Sequence, residues 1–383
     1  MKKRQDSDAK LKYRRIVAKF GTNVLTAGGD RLDMEVMSSL VRQVAELQKR
    51  GAQVIVVTSG AIAAGRHRLG LHDHSKDRKD VPFRQVLAAV GQSDLVQTYQ
   101  SLFDQYEMTV AQVLLTRRDL ADRVSYLNAR NTLLAMLAMR VLPVINENDV
   151  VAVDEIEGAK IGDNDNLSAL VANLVDADVL VLLTDIEGLY TADPRSDAGA
   201  TLIPVVEKID ASVEARATRT QSSRSVGGMI TKLQAAKLAT GGATDMFIAK
   251  GSEPDVLLRI AEGHNPGTHF PAAVDRMESR RRWMLTGLSV KGSVVVDEGA
   301  ARALVEKKTS LLPAGVKDVE GKFKRGDAVA VVGPDGVRIA CGIANYAADE
   351  IMRIRGQRSD KIEELLGHQY GGEVVHRDNL VLL

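Results

Sequence analysis

Two polar segments, Asn146-Glu147-Asn148-Asp149 and Gly162-Asp163-Asn164-Asp165-Asn166-Leu167-Ser168, carry four carboxylates and four carboxamides between them. Carboxylates hold an ammonium and amides hold a carboxylate, so the two segments together suit the grip on a small zwitterion. No apolar periodicity in either segment marks it as the polar face of a helix. An isolated Asp/Asn run is more often a solvated turn. The case for a site therefore rests on what surrounds these residues.

Two lysine–glycine combinations point to phosphate. Lys19-Phe20-Gly21-Thr22-Asn23 places a lysine at the end of an apolar strand, beside a glycine that admits an anion to the backbone N–H groups. A lysine in an edge strand can instead reach out to solvent along its own stem. Gly227-Gly228-Met229-Ile230-Thr231-Lys232 precedes a helical run, and helix N-termini attract anions. Lys232 falls in the first turn, where a cation opposes the helix dipole, and that conflict favours a functional lysine. An ordinary glycine turn before a helix competes evenly with this reading. The spacing is not that of a Walker A loop. Asp163-Asn164-Asp165 has calcium-loop spacing, but Ser168 and Leu174 stand where such a loop needs Gly and Glu. His72-Asp73-His74 reads as a polar loop, and no metal site is assigned.

The elements that must position these residues are strands alternating with helices. Apolar runs at Ile16–Phe20, Val54–Val57, Val141–Ile145, Val179–Leu183 and Met246–Ala249 each end in Gly or small polar residues. Between the first two, Met37, Leu40, Val41, Val44 and Leu47 share one face of a helix that Gly51 stops. The pattern predicts a mostly parallel sheet with helices on both faces, with ligands beyond the carboxyl ends of the strands. Every polar cluster above falls at such an end. This α/β domain is expected over residues 14–272. A smaller β-rich domain is expected over 281–367, with 368–383 as its extension. Its short strands include Ala328–Val332 and Val337–Ala340, joined by the hairpin signal Gly333-Pro334-Asp335-Gly336.

At 383 residues, with 45% hydrophobic and 26% charged residues, the composition is that of a soluble globular protein. Cys341 is the single cysteine, which excludes an intrachain disulfide and points to a reducing compartment. Residues 1–15 are polar and carry seven Lys/Arg against two acids, without the apolar stretch of a secretory signal. A cytoplasmic protein without a membrane span is expected. Residues 276–325 hold twelve Lys/Arg against six acids, although the whole chain is only +1. An acidic body with a basic second domain suggests different partners for the two.

Taken together, these residues resemble the amino acid kinases, and within them the glutamate 5-kinase branch. The resemblance is carried by Lys19-x-Gly21-Thr22, Thr58-Ser59-Gly60-Ala61-Ile62-Ala63-Ala64-Gly65 and Leu87-Ala88-Ala89-Val90-Gly91-Gln92. It continues through Leu127-Asn128-Ala129-Arg130, the two polar segments, Leu182-Leu183-Thr184-Asp185-x-x-Gly188-Leu189-Tyr190-Thr191-Ala192-Asp193-Pro194 and Gly227-Gly228-Met229-x-Thr231-Lys232. The Thr184–Pro194 stretch is common to the wider family, whereas the paired polar segments are specific to the branch. Ser225-Val226 departs from the Gly-Thr that the family usually has before Gly-Gly-Met. Residues from about 281 to 367 resemble the PUA domain, an RNA-binding β-barrel module. The resemblance implies a three-layer αβα sandwich for the kinase part and a β-barrel for the tail.

The implied reaction moves the γ-phosphoryl of ATP, with Mg²⁺, onto the side-chain carboxylate of L-glutamate, the first step of proline synthesis. Lys19 and Lys232 would neutralise the transferred group, and Asp165 would orient a catalytic lysine. The ATP site would comprise Lys19, Gly21, Thr22, Thr184, Asp185, Val226, Gly227, Gly228, Met229, Ile230, Thr231 and Lys232. Ser59, Gly60, Asn146, Asp149 and Asn164 would hold glutamate, with Asp149 on the α-ammonium. Feedback inhibition by proline, a homo-oligomer (dimer or tetramer) and hand-over of the acyl phosphate to a glutamate-5-semialdehyde dehydrogenase are further implications. A kinase for aspartate, N-acetylglutamate or carbamate fits the paired segments less well. An RNA-binding accessory protein acting through the tail is the alternative from another class. Stacking aromatics are sparse there (Trp283, Phe323, Tyr346, Tyr370), so a structural or oligomer-stabilising tail is the simpler reading.

Overall fold

The computed structural model describes residues 10–71, 80–152, 164–194, 196–219, 228–273 and 290–383. The chain divides into two compact units, Met1–Ala121 with Asn128–Val274, and Asp122–Leu127 with Asp275–Leu383. The first unit is built on a seven-stranded sheet: β1 (Arg15–Phe20), β2 (Gln53–Thr58), β3 (Val110–Leu115), β4 (Leu142–Glu147), β5 (Val179–Thr184), β6 (Asp245–Lys250) and β7 (Thr268–Phe270). The order is β3-β4-β2-β1-β5-β6-β7. All pairs are parallel except β6–β7. The helices are α1 (Thr22–Leu25), α2 (Met34–Lys49), α3 (Ala61–Arg68), α4 (Val81–Asp104), α5 (Arg117–Ala121), α6 (Arg123–Ala138), α7 (Asn164–Leu174), α8 (Ala211–Arg219), α9 (Met229–Gly241) and α10 (Val256–Ala261).

Strand alternation sorts β1 between two faces. Ile16, Ala18 and Phe20 join Val54, Val56, Val179 and Val181 in a core shared with α2, α4 and α10. Val17 and Lys19 therefore point to the opposite face, where α7 packs on β1 and β5, and α9 packs on α7 and β6. Met37, Leu40, Val41, Val44 and Leu47 of α2 are all buried, as the helical spacing requires. Asp33 caps that helix by accepting from the N–H groups of Glu35 and Val36. Lys19 pairs in register with Val57 on one side and Leu182 on the other. It lies in the middle strand of the sheet, so the edge-strand reading does not apply to it.

The second unit holds a mixed five-stranded sheet of order β12-β11-β10-β8-β9. Its strands are β8 (Gly292–Val296), β9 (Val316–Gly321), β10 (Ala328–Val332), β11 (Arg338–Ile343) and β12 (Leu380–Leu382). β10 and β11 form the expected antiparallel hairpin, closed by the Gly333 N–H donating to Val337 O at 2.8 Å. Gly336 sits in that turn at φ +77°, a conformation that favours glycine. Val294, Val296, Val329, Val331, Tyr346, Ile351 and Ile354 build its core.

Candidate active site

The carboxyl ends of β1, β2, β4 and β5 carry Lys19, Ser59, Asn146 and Thr184 respectively, and α7 starts beside them at Asn164. Asp165, in the first turn of α7, is 2% exposed. Its Oδ1 is 2.7 Å from the Lys19 ammonium and its Oδ2 3.0 Å from that of Lys232. Thr231 Oγ1 lies 2.9 Å from the same Oδ2 and 2.9 Å from Gly228 O, so its single proton serves one of the two at a time. Ser168 Oγ donates to the Asp165 carbonyl at 2.6 Å, which steadies the turn. Burial alone would raise the Asp165 carboxyl, but the Lys19 and Lys232 charges outweigh it and hold the group well below the carboxylate range. Two ammonium groups thus meet at one carboxylate, and the Lys232 charge also acts on Asp185.

A second cluster runs from β2 to α4. Asn164 Nδ2 donates to Ser59 Oγ at 3.0 Å and to Asn146 Oδ1 at 3.1 Å. Asn146 Oδ1 also accepts the Glu147 backbone N–H at 2.9 Å, and Asn146 Nδ2 donates to Gln92 Oε1 at 2.8 Å. Asp149 follows in the turn after β4. Burial raises its carboxyl to about 6 despite the opposing charge of Arg84. Ser59 leads into α3 through Gly60, whose φ of +103° favours a residue without a Cβ.

On the other flank, the Gly21 N–H donates to Leu183 O at 3.3 Å and opens α1 at Thr22. A Cβ on Gly21 would lie 3.3 Å from Leu183 O and 3.7 Å from the Lys19 ammonium, so the glycine keeps the approach to that lysine narrow but open. Asp185 accepts from Asn23 Nδ2 at 3.0 Å and from Thr184 Oγ1 at 2.9 Å. Burial raises the Asp185 carboxyl, but the Asn23 and Thr184 hydrogen bonds win and hold it below its ordinary value. Gly228 caps α9 with backbone alone, and Met229, Ile230, Thr231 and Lys232 form its first turn. Val226 and Gly227, together with Ser225, Gly162, Asp163 and the His72-Asp73-His74 loop, lie outside the described residues.

The sequence model of the amino acid kinase family matches residues 14–250, and that of the PUA domain matches residues 292–366. The glutamate 5-kinase of Dehalococcoides mccartyi is 50% identical over 371 residues, which is 97% of this chain and 99% of that relative. That of Herpetosiphon aurantiacus is 52% identical over 96% of this chain and 98% of its own length. The chain belongs to the glutamate 5-kinase family. A third member, from Deinococcus radiodurans, is 48% identical over 96% of this chain and the whole of that relative.

Three parts of this kinase were hidden in the sequence. The polar stretch around Asp165 does not escape helical structure: Asn164, Asp165 and Asn166 are the buried first turn of α7. Polar residues fit there because a helix N-terminus leaves backbone N–H groups to satisfy and faces the site rather than the apolar core. Asn23 and Gln92 hold Asp185 and Asn146, yet only their places within the family segments could have marked them. Gly65 and Gly91 belong to helix packing: a Cβ on Gly65 would lie 1.9 Å from Leu87 O, and one on Gly91 1.8 Å from Ala61 O. α3 and α4 can therefore touch along their backbones, which brings Gln92 beside the end of β4.

In the second unit the aromatics are committed elsewhere. Phe323 and Tyr346 are buried, and the Tyr370 ring carries the Arg325 guanidinium 3.8 Å from its centroid. Trp283 lies outside the described residues.

Proposed function

We propose that the chain transfers the γ-phosphoryl of ATP to the side-chain carboxylate of L-glutamate, yielding L-glutamyl 5-phosphate and ADP. The observation that carries this reading is the pair of buried lysines on Asp165, with the Ser59–Asn164–Asn146 cluster and Asp149 at neighbouring strand ends.

A glutamate side chain has a reference pKa of ~4.3 and is ionised at neutral pH, so the attack needs no general base. The obstacle is repulsion between two anions and the charge spread over the transferred group. Lys19 and Lys232 answer it with ammonium groups already fixed in place by Asp165, which lowers the reorganisation needed at the moment of transfer. Thr231 holds the far oxygen of Asp165, and the first-turn N–H groups after Gly228 offer donors to the nucleotide phosphates. Gly21 and Thr22 approach the same phosphates from the end of β1; Val226 and Gly227, outside the described residues, are assigned to the nucleotide by the family resemblance alone. Thr184 and Asp185 line the nucleotide end. Asp149 pairs with the α-ammonium, while the Ser59 hydroxyl, Gly60, Asn146 and Asn164 shape the rest of the glutamate pocket. Mg²⁺ travels with the ATP phosphates and supplies further charge neutralisation there; we assign it no protein ligand.

The product is an acyl phosphate that water destroys, so a glutamate-5-semialdehyde dehydrogenase is its natural acceptor in proline synthesis. Proline would compete at the glutamate pocket, and the working form would be a homo-oligomer in the cytoplasm. No helix among the described residues is long and apolar enough to cross a membrane. A coupled assay of ADP release tests the reading. Turnover that needs L-glutamate, and that L-aspartate and N-acetylglutamate do not replace, supports it. ADP release independent of any amino acid would remove it.

A further inference from the structure

Asn146 and Asn164 are both buried amides, and an amide can turn either its oxygen or its nitrogen toward a ligand. What fixes the choice here begins with a backbone group. The Glu147 N–H can only donate, and it points at Asn146 Oδ1 at 2.9 Å. Asn146 must therefore keep its oxygen on that side and its Nδ2 on the other, where Gln92 Oε1 receives it at 2.8 Å. The same oxygen of Asn146 accepts from Asn164 Nδ2, whose second hydrogen goes to Ser59 Oγ. Both hydrogens of the Asn164 amide are then committed. Its Oδ1 is left buried with no hydrogen-bond partner among the described residues, in a residue 5% exposed. A buried acceptor without a donor costs stability, and it rewards a ligand that brings one.

We propose that Gln92 is a positioning residue for substrate: by taking the Asn146 Nδ2, it locks the amide chain so that Asn164 presents a carbonyl oxygen, an acceptor for the substrate ammonium. This rests on the reaction proposed above. It also refines the expectation that amides in this pocket meet a carboxylate, since the uncommitted atom of Asn164 is an acceptor. Gln92 reaches Asn146 because Gly91, its neighbour, lets α4 lie against the backbone of α3. One turn-pair earlier on the same helix, Gln85 Nε2 donates to Val150 O at 3.1 Å, beside Asp149. The helix α4 thus supports the ammonium end of the pocket at two points.

The test compares L-glutamate with glutarate, which keeps both carboxylates but lacks the ammonium. In Gln92→Met, the KM for L-glutamate should rise roughly tenfold, the order expected when a buried amide donor loses its partner. The inhibition constant of glutarate against L-glutamate and the KM for ATP should each move less than about threefold. Gln92→Glu keeps an acceptor at the same reach and should return the L-glutamate KM to within about threefold of the parent. Gln92 is only partly buried, and Gln92→Leu repeats the comparison if the Met variant is unstable. An equal loss for L-glutamate and glutarate would mean a merely loosened pocket and would overturn the proposal. So would an unchanged L-glutamate KM, or a Glu variant no better than Met. If the parent enzyme does not turn over L-glutamate at all, the proposed reaction fails first and this assignment fails with it.

Discussion

Lys19 and Lys232 share one buried carboxylate, each on its own oxygen of Asp165, at 2.7 and 3.0 Å. The lysines come from a central strand and from the first turn of α9, so the clamp joins two elements far apart in sequence. Burial disfavours both ammonium groups, and the shared anion offsets part of that cost for each. Replacing Asp165 by Asn should therefore cost both stability and rate. We expect a loss of about 3 kcal/mol in denaturant unfolding and a fall in kcat of at least ~100-fold. Saturating ATP should restore more stability to the variant than to the parent, because its phosphates stand in for the lost charge. A kcat within threefold of the parent would contradict the clamp's role.

Asp149 gives a pH signature with two opposite signs. Its carboxyl is raised by burial from 3.8 to about 6 in the folded chain. Between those values the folded state binds the proton and the unfolded state does not, so this group's contribution to stability grows as pH falls through about 6. On the proposed reading, protonation also removes the partner of the substrate ammonium. The KM for L-glutamate should thus climb as pH drops from 7.5 to 5.5, while the free protein gains stability through this group. Steady-state titration of the parent and Asp149→Asn checks it: the variant should have a high KM with a flat profile. A parent KM that stays level across that range would remove Asp149 from the ammonium.

Gly91 should tolerate no side chain. A Cβ there would sit 1.8 Å from Ala61 O and 2.3 Å from the Gly65 nitrogen, both backbone atoms that cannot swing aside. Gly91→Ala should lower stability by about 2 kcal/mol or more and raise the L-glutamate KM by displacing Gln92. Gly241→Ala, at the end of α9 with nothing within 4 Å of the added carbon, is the control. It should be neutral or stabilising by up to ~1 kcal/mol. Thermal melts of the two proteins decide the matter; equal effects would mean that α3 and α4 can separate without cost.

Asn23 separates the two ends of the site. It donates to Asp185 at 3.0 Å on the exposed flank to which we assign the nucleotide. Asn23→Ala should raise the KM for ATP by a few-fold, the worth of one solvent-accessible hydrogen bond, and leave the L-glutamate KM unchanged. A change confined to the L-glutamate KM would move Asp185 to the wrong end of the pocket.

Five of the seven strands of the first unit were legible as apolar runs, because strands covered on both faces need no polar alternation. β3 was not, since Val110–Leu115 is an edge strand with only Leu115 of its six residues buried and a Gln near its centre. The three-residue antiparallel β7 is too short to leave a pattern. Sequence order also gave no hint that β1 lies in the middle of the sheet, which is what converts Lys19 from a surface lysine into a buried one. The charged members of the site were readable because a lysine or an aspartate is out of place among apolar runs. Gln92 and Asn23 were not, because neutral polar residues on helices usually face water. Only the packing of α4 on α3 turns Gln92 inward.

Trapping with hydroxylamine tests the central claim most directly, since it converts an acyl phosphate into a stable hydroxamate. The chain would be incubated with ATP, Mg²⁺, hydroxylamine and, in turn, L-glutamate, L-aspartate or N-acetylglutamate. Hydroxamate should form with L-glutamate alone and disappear in Lys232→Ala. ADP release without hydroxamate, or hydroxamate that persists undiminished in that variant, would contradict the account of how this site moves a phosphoryl group.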